Sequence, residues 1–175
     1  MYKICKTPKS EARQKEFQNT LLQMLEKQKM KDISVVSLCK EMEISRKTFY
    51  QYFDTVEDVL YIMIDKEMRS AFLLLEYNPE VGEFFAYWIK NKWLLDVLEK
   101  NEMSNLLVER AYIFSNIYQE KAMSIQNMKY AGWISAIITV LILWHHGGMR
   151  QSPVEMEKTV YDMFHVNIQP YGTKK

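Results

Sequence analysis

Apolar side chains recur along most of this chain at three- and four-residue intervals, the spacing of one helix face. Phe17, Leu21, Met24 and Leu25 follow that spacing after Thr7 and Pro8, a capping residue and a proline suited to the first helical position. A first helix is predicted over about 9–28. The polar break Lys29-Met30-Lys31-Asp32 then leads to Ile33 and to Ser34 as a second cap. Val35, Leu38, Cys39 and Met42 share one face of the short helix that follows. Beyond the corner Met42-Glu43-Ile44, Ser45 caps a third helix, expected to run two turns, in which Phe49 and Phe53 lie four apart and point inward. Thr55 caps a fourth helix, with Glu57 and Asp58 in the first turn where the helix dipole favours negative charge. Asn78 and Pro79 end it.

Further helices are predicted over 81–91, 92–99, 103–120, 127–146 and 153–166. Ser152, Pro153 and Glu155 give the last of these a cap, a first-position proline and a capping-box partner. No stretch reads as a strand, so the fold class is all-α with about nine helices. Two domains are expected: a three-helix, helix-turn-helix domain over 1–68, with its motif at about 33–53, and a helical domain over 69–175.

Composition supports a packed helical protein, with 48% hydrophobic residues, five glycines and four prolines. Cys5 and Cys39 sit in unlike settings, which argues against a disulfide framework and suits a reducing cytoplasm. The opening residues MYKICKTPKS lack a secretory apolar stretch, and a cytoplasmic location is expected. No charged residue occurs between Lys129 and Arg150. Its apolar part, Tyr130 to Trp144, falls short of the roughly 20 residues a membrane span needs, so a buried interface helix is expected and no membrane.

The net charge of +1 hides an asymmetry: residues 1–53 carry 11 Lys or Arg against 6 Asp or Glu, and the remainder carry 12 against 16. A basic front on an acidic body is the arrangement for approaching a polyanion. Catalysis finds no foothold, because no nucleophile elbow, phosphate-binding glycine loop or HExxH occurs. The chain is expected not to be an enzyme and to need no cofactor. His145 and His146 point in different directions on a helix, which makes them poor metal ligands as a pair.

Two short helices joined by a tight corner, the second one basic, suit insertion of the second into the DNA major groove. With Phe49 and Phe53 inward, that helix turns Arg46, Lys47, Tyr50 and Gln51 outward. Arg and Lys match guanine edges and phosphates, and Gln matches adenine.

The stretch ISVVSLCKEMEISRKTFYQYFDTVEDVL resembles the N-terminal domain of the TetR family of transcription regulators, and the similarity spans about 10–64. Its most specific part is Ile44-Ser45-x-x-Thr48-Phe49-Tyr50-x-x-Phe53. The resemblance implies that Thr48 contacts DNA and Tyr50 grips a phosphate, with Ser34, Ser45, Arg46, Lys47, Gln51 and Tyr52 completing the DNA-binding set. The uncharged helix, Gly147-Gly148 and the Ser152-Pro153 helix start resemble the dimer-forming half of one subgroup. Trp133, Ile134, Ile137, Ile138, Leu141, Met156, Val160 and Met163 are accordingly expected at a homodimer interface, which would set two reading helices ~34 Å apart. A small-molecule effector pocket is implied among the middle helices, with Phe84, Tyr87, Trp88 and Tyr112 as its candidate lining.

The implied function is a repressor released from double-stranded operator DNA by an effector. The alternative is a dimeric ligand- or protein-binding co-regulator that keeps the helix-turn-helix shape without strong DNA binding of its own. Three departures keep it open: Glu43 stands where the corner usually has glycine, Val56 where a lysine neutralises a phosphate, and Val36 where some members are basic.

Overall fold

The computed structural model describes residue 3 and residues 7–77, 81–114 and 124–164. Among these, nine α-helices and no strand occur: α1 (Pro8–Lys27), α2 (Val35–Glu41), α3 (Arg46–Phe49), α4 (Glu57–Tyr77), α5 (Val81–Lys90), α6 (Lys92–Lys100), α7 (Leu106–Phe114), α8 (Ile125–His146) and α9 (Pro153–Phe164). The all-α class read from the sequence holds. Cys5, the Asn78-Pro79 helix stop, the 115–120 end of the expected seventh helix and the last two residues of the ninth lie outside the described residues.

The helix starts follow their caps. Thr7 accepts from the Ser10 N–H at 3.2 Å and closes a capping box, and Ser34 does the same with Ser37 at 3.1 Å. The Asp58 carboxylate accepts from the backbone N–H of Asp54 and of Thr55, both at 3.1 Å, and holds the turn into α4. Ser152 and Glu155 bond reciprocally at the start of α9, and those hydrogen bonds hold the Glu155 carboxyl below its ordinary pKa. Helix α8 begins two residues before its expected start because Ser124 accepts from the Asn127 N–H at 3.1 Å. Helix α7 begins three residues late, since Met103 is used to close α6 by donating to the Leu98 carbonyl. The largest difference is α3. It completes one α-helical turn, not two, and passes into tighter turns in which Gln51 bonds back to Thr48 and Tyr52 to Phe49.

Two compact units divide the chain, residues 1–64 and 65–175. In the first, Phe17 of α1 meets Phe49 and Phe53 edge-on, with ring centroids 5.6 and 5.3 Å away. Leu21, Leu25, Leu38, Leu60 and Ile64 complete a core in which each is 2% exposed or less. In the second, α5 packs on α9, and α8 packs on α6, α7 and α9. Polar ties cross this unit: Arg110 of α7 holds Asp65 of α4 with two hydrogen bonds, one of 2.6 Å, and the Tyr112 and Ser135 hydroxyls are bonded between α7 and α8.

Helix α8 is 22 residues long and, by length and composition, is long and apolar enough to cross a membrane. The uncharged stretch therefore belongs to a longer helix than its apolar residues alone outline. Trp133, Ile134, Ile137, Ile138 and Leu141 all face inward, at 8% exposure or less. Met156 and Val160 of α9 are buried too, so of the eight residues expected at a dimer interface Met163 alone is exposed. The uniform apolarity of α8 concealed which of its faces the protomer's own core takes.

The α2–α3 corner shows how the chain manages without glycine. Glu43 lies at φ 54°, and the N–H groups of Glu43 and Ile44 return to the carbonyls of Lys40 and Cys39. Such a left-handed residue is usually glycine, and a side chain there costs about 1 kcal/mol. Glu43→Gly is expected to stabilise the protein by about that amount; a chemical denaturation midpoint that falls or stays unchanged contradicts the strain.

Candidate nucleic-acid interface

Helix α3 has too few internal hydrogen bonds to hold its own direction. What orients it is the inward pair Phe49 and Phe53, both fully buried and set edge-on against Phe17. Edge-to-face aromatic pairs are worth roughly 0.5–1.5 kcal/mol each beyond the area they bury. With that face fixed, Arg46, Lys47, Tyr50 and Gln51 are exposed together on the other side. Tyr50 is 49% exposed, its ring standing edge-on to Phe49 at 5.5 Å.

The remaining DNA-binding candidates divide. Ser45 caps α3 by accepting from the Thr48 N–H at 3.1 Å, and the two hydroxyls are 3.0 Å apart. Thr48 is half-buried by this arrangement. Ser34 is exposed and likewise occupied as a cap, while Tyr52 leans on Phe17 at 5.7 Å and is half-buried. Arg46, Lys47, Tyr50 and Gln51 are thus the candidates with the freest reach. Val36 of α2 is 59% exposed, and Glu43 is exposed at the corner. Val56, by contrast, is 4% exposed and belongs to the core. Cys39 is buried as well, and desolvation pushes its thiol above the ordinary pKa against the opposing pull of Arg46, which suits packing better than redox chemistry.

One feature of this face has no signature in the sequence pattern. Lys3 donates its backbone N–H to the Tyr52 carbonyl at 2.9 Å and its ammonium to the Tyr50 carbonyl at 2.5 Å. A lone lysine in a polar leader gives no periodicity to read, so its partner could not be inferred.

The four expected effector-pocket residues sit differently from one another in the second unit. Phe84 and Trp88 are fully buried, and the Trp88 indole N–H has no hydrogen-bond partner among the described residues. Tyr87 and Tyr112 are half-buried, Tyr87 donating to Glu67 at 2.5 Å and Tyr112 bonded to Ser135. A cavity of about 370 Å³ lies elsewhere, walled by Leu95, Leu107 and Ile142 and rimmed by Glu99, Ser104 and His146. Beside it His145 is buried between the carboxylates of Asp96 and Glu99, at 2.8 and 3.0 Å, and His146 meets Glu99 at 2.5 Å. His145 is buried and His146 exposed, yet both rings reach the one Glu99 carboxylate. No three His, Cys, Asp or Glu side chains among the described residues are arranged to hold a metal ion.

Burial, and then the hydrogen bond to Glu67, push the Tyr87 phenol up to about 12. Its neutral form is the one the fold favours. The stabilisation is therefore complete below the ordinary tyrosine value of 10 and is lost as pH rises toward 12. An ultraviolet titration is expected to show one late-ionising tyrosine that moves toward 10 in Glu67→Gln; no change in that variant removes Glu67 as a cause.

No family model matches the chain, and no curated protein matches it either.

Proposed function

We propose that this protein is a DNA-binding transcription regulator of the TetR type, acting as a homodimer and released from its operator by a small-molecule effector. The observation that carries the reading is that α3 and the turn after it are two-faced: Phe49 and Phe53 have zero exposure, and Arg46, Lys47, Tyr50 and Gln51 are exposed. Long cationic and amide donors on one face of a short helix after a tight corner are the groups that reach phosphates and base edges. Among the described residues the buried indole N–H groups of Trp88 and Trp144 have no hydrogen-bond partner, and an effector that carries an acceptor would satisfy such a donor.

Homodimer formation draws on the outward side of α8 and α9. Met128 and Leu143 are 57% and 63% exposed on α8, as are Val154 and Met163 on α9 at 72% and 55%. A Cβ at Gly132 would meet nothing within 4 Å, so the protomer itself has no steric need for that glycine. The second reading, a co-regulator with little DNA affinity of its own, is favoured by one observation: the exposed carboxylate of Glu43 lies at the corner that leads into α3.

Titration with the DNA flanking its own gene, followed by fluorescence anisotropy, is the direct test. Tyr50→Phe is expected to weaken binding to all sequences, whereas Gln51→Ala is expected to relax preference at one base pair by about 1–3 kcal/mol. No sequence preference at low salt, with or without candidate effectors, sinks the regulator reading and leaves the co-regulator. Light scattering tests assembly: Leu143→Glu is expected to give folded monomers, and Ile138→Asp to unfold the second unit because Ile138 is buried. A Leu143→Glu protein that keeps a dimer's mass excludes this face.

A further inference from the structure

A helix of one turn leaves nearly all of its last carbonyls without partners in the helix. In α3 the carbonyls of Arg46, Thr48 and Phe49 accept from the N–H groups of residues 50–53, and the carbonyls that lie beyond these bonds are those of the turn that carries Tyr50 and Gln51. Lys3 takes two of them, Tyr52 through its backbone N–H at 2.9 Å and Tyr50 through its ammonium at 2.5 Å. Its own carbonyl is held in turn by the side-chain amide of Gln14 at 2.8 Å. Gln14 is a polar residue at 5% exposure on the buried side of α1, the side that also carries Phe17. A buried amide at such a position must be hydrogen-bonded to be tolerated, and the bond it makes is the one that anchors Lys3.

Each of the three groups has a reason to be what it is. The ammonium meets the Tyr50 carbonyl just past the end of α3, with the Asp54 carboxylate within reach of its charge. The backbone N–H of Lys3 acts as a crosslink between the start of the chain and the end of the reading element. The Gln14 amide ties both to α1, whose Phe17 already fixes the opposite face of α3. Phe17 thus holds the inward face, and Lys3 with Gln14 holds the turn at the far end.

We propose that Lys3 is a positioning residue which, anchored by Gln14, fastens the Tyr50–Tyr52 turn and so sets Tyr50 and Gln51 for DNA. The DNA part of this inference rests on the proposed function; the fastening does not. Lys3 acts through the protein backbone, so its effect differs from that of a lysine that touches a phosphate.

Two measurements on the full chain separate these cases. In the DNA-free protein, hydrogen exchange at residues 50–53 is expected to quicken about tenfold in both Lys3→Met and Gln14→Leu, with the exchange of α4 unchanged. Unchanged exchange at 50–53 in both variants overturns the fastening, whatever the protein does with DNA. In anisotropy titrations, Gln14→Leu is expected to weaken operator binding about five- to tenfold while leaving the slope of log affinity against log salt as it was. Lys3→Arg, which keeps a cationic donor, is expected to restore most of the affinity lost in Lys3→Met. If Lys3→Met instead lowers the salt slope by about one and weakens all DNA alike, and Gln14→Leu does nothing, Lys3 is a phosphate contact and the positioning role is wrong. Thermal melting of Gln14→Leu near that of the parent shows that its effect is local. A melting point far below it assigns Gln14 to the core and counts against the anchor.

Discussion

The wedge of Phe17 between Phe49 and Phe53 is the contact on which the first unit depends. Helix α3 has four residues in α-helical form, too few to be stable alone, since the first turn of any helix fixes several backbone angles for a single hydrogen bond. Its direction comes from tertiary packing. Two edge-on contacts at 5.3 and 5.6 Å set it so that both phenylalanines are sealed while Arg46, Lys47, Tyr50 and Gln51 stay exposed. Loss of either ring would remove an aromatic partner and leave a core cavity, and the exposed face would lose its reference at the same time. Stability and the presentation of Arg46, Lys47, Tyr50 and Gln51 therefore share one origin.

Much of this was legible in the sequence because the signals were local. Thr7, Ser34, Ser45, Thr55 and Ser152 all precede helices, and the hydrogen bonds of their side chains account for the helix starts. The alternation of Phe49 and Phe53 with polar residues gave the inward face of α3, and Phe17, Leu21, Met24 and Leu25 gave that of α1. Glycine's absence at position 43 was equally readable, and Glu43 there holds the left-handed backbone that glycine adopts without cost.

What escaped depended on contacts distant in sequence or on uniform composition. The Lys3 bonds join residues 47 and 49 positions apart, and no periodicity encodes such a pairing. The length of α3 was overestimated because its pattern of apolar residues persists to Phe53, although the backbone tightens after Phe49. His145 and His146 were expected to point apart, but the Asp96 and Glu99 carboxylates of α6 receive them, and both rings reach Glu99. Val56 is a similar case. A position expected to face a phosphate is turned into the core, so its side chain says more about packing than about charge.

Helix α8 presents the hardest problem of this kind. An amphipathic helix announces its buried face, but α8 is apolar nearly all round, so the sequence predicts burial without saying against what. Packing on α6, α7 and α9 accounts for the face that runs from Trp133 through Ile137, Ile138 and Leu141 to Trp144. It does not account for the other face. Met128, Gly132, Thr139 and Leu143 lie there, all exposed, and none carries a charge. A soluble helix free on that side ordinarily carries charged residues, and the 20-residue gap between Lys129 and Arg150 holds none. The inner face is packed within the protomer, and the outer face has no cover among the described residues. The proposed homodimer would set an identical uncharged face against it across a twofold axis, so that one sequence would bury both sides of one helix.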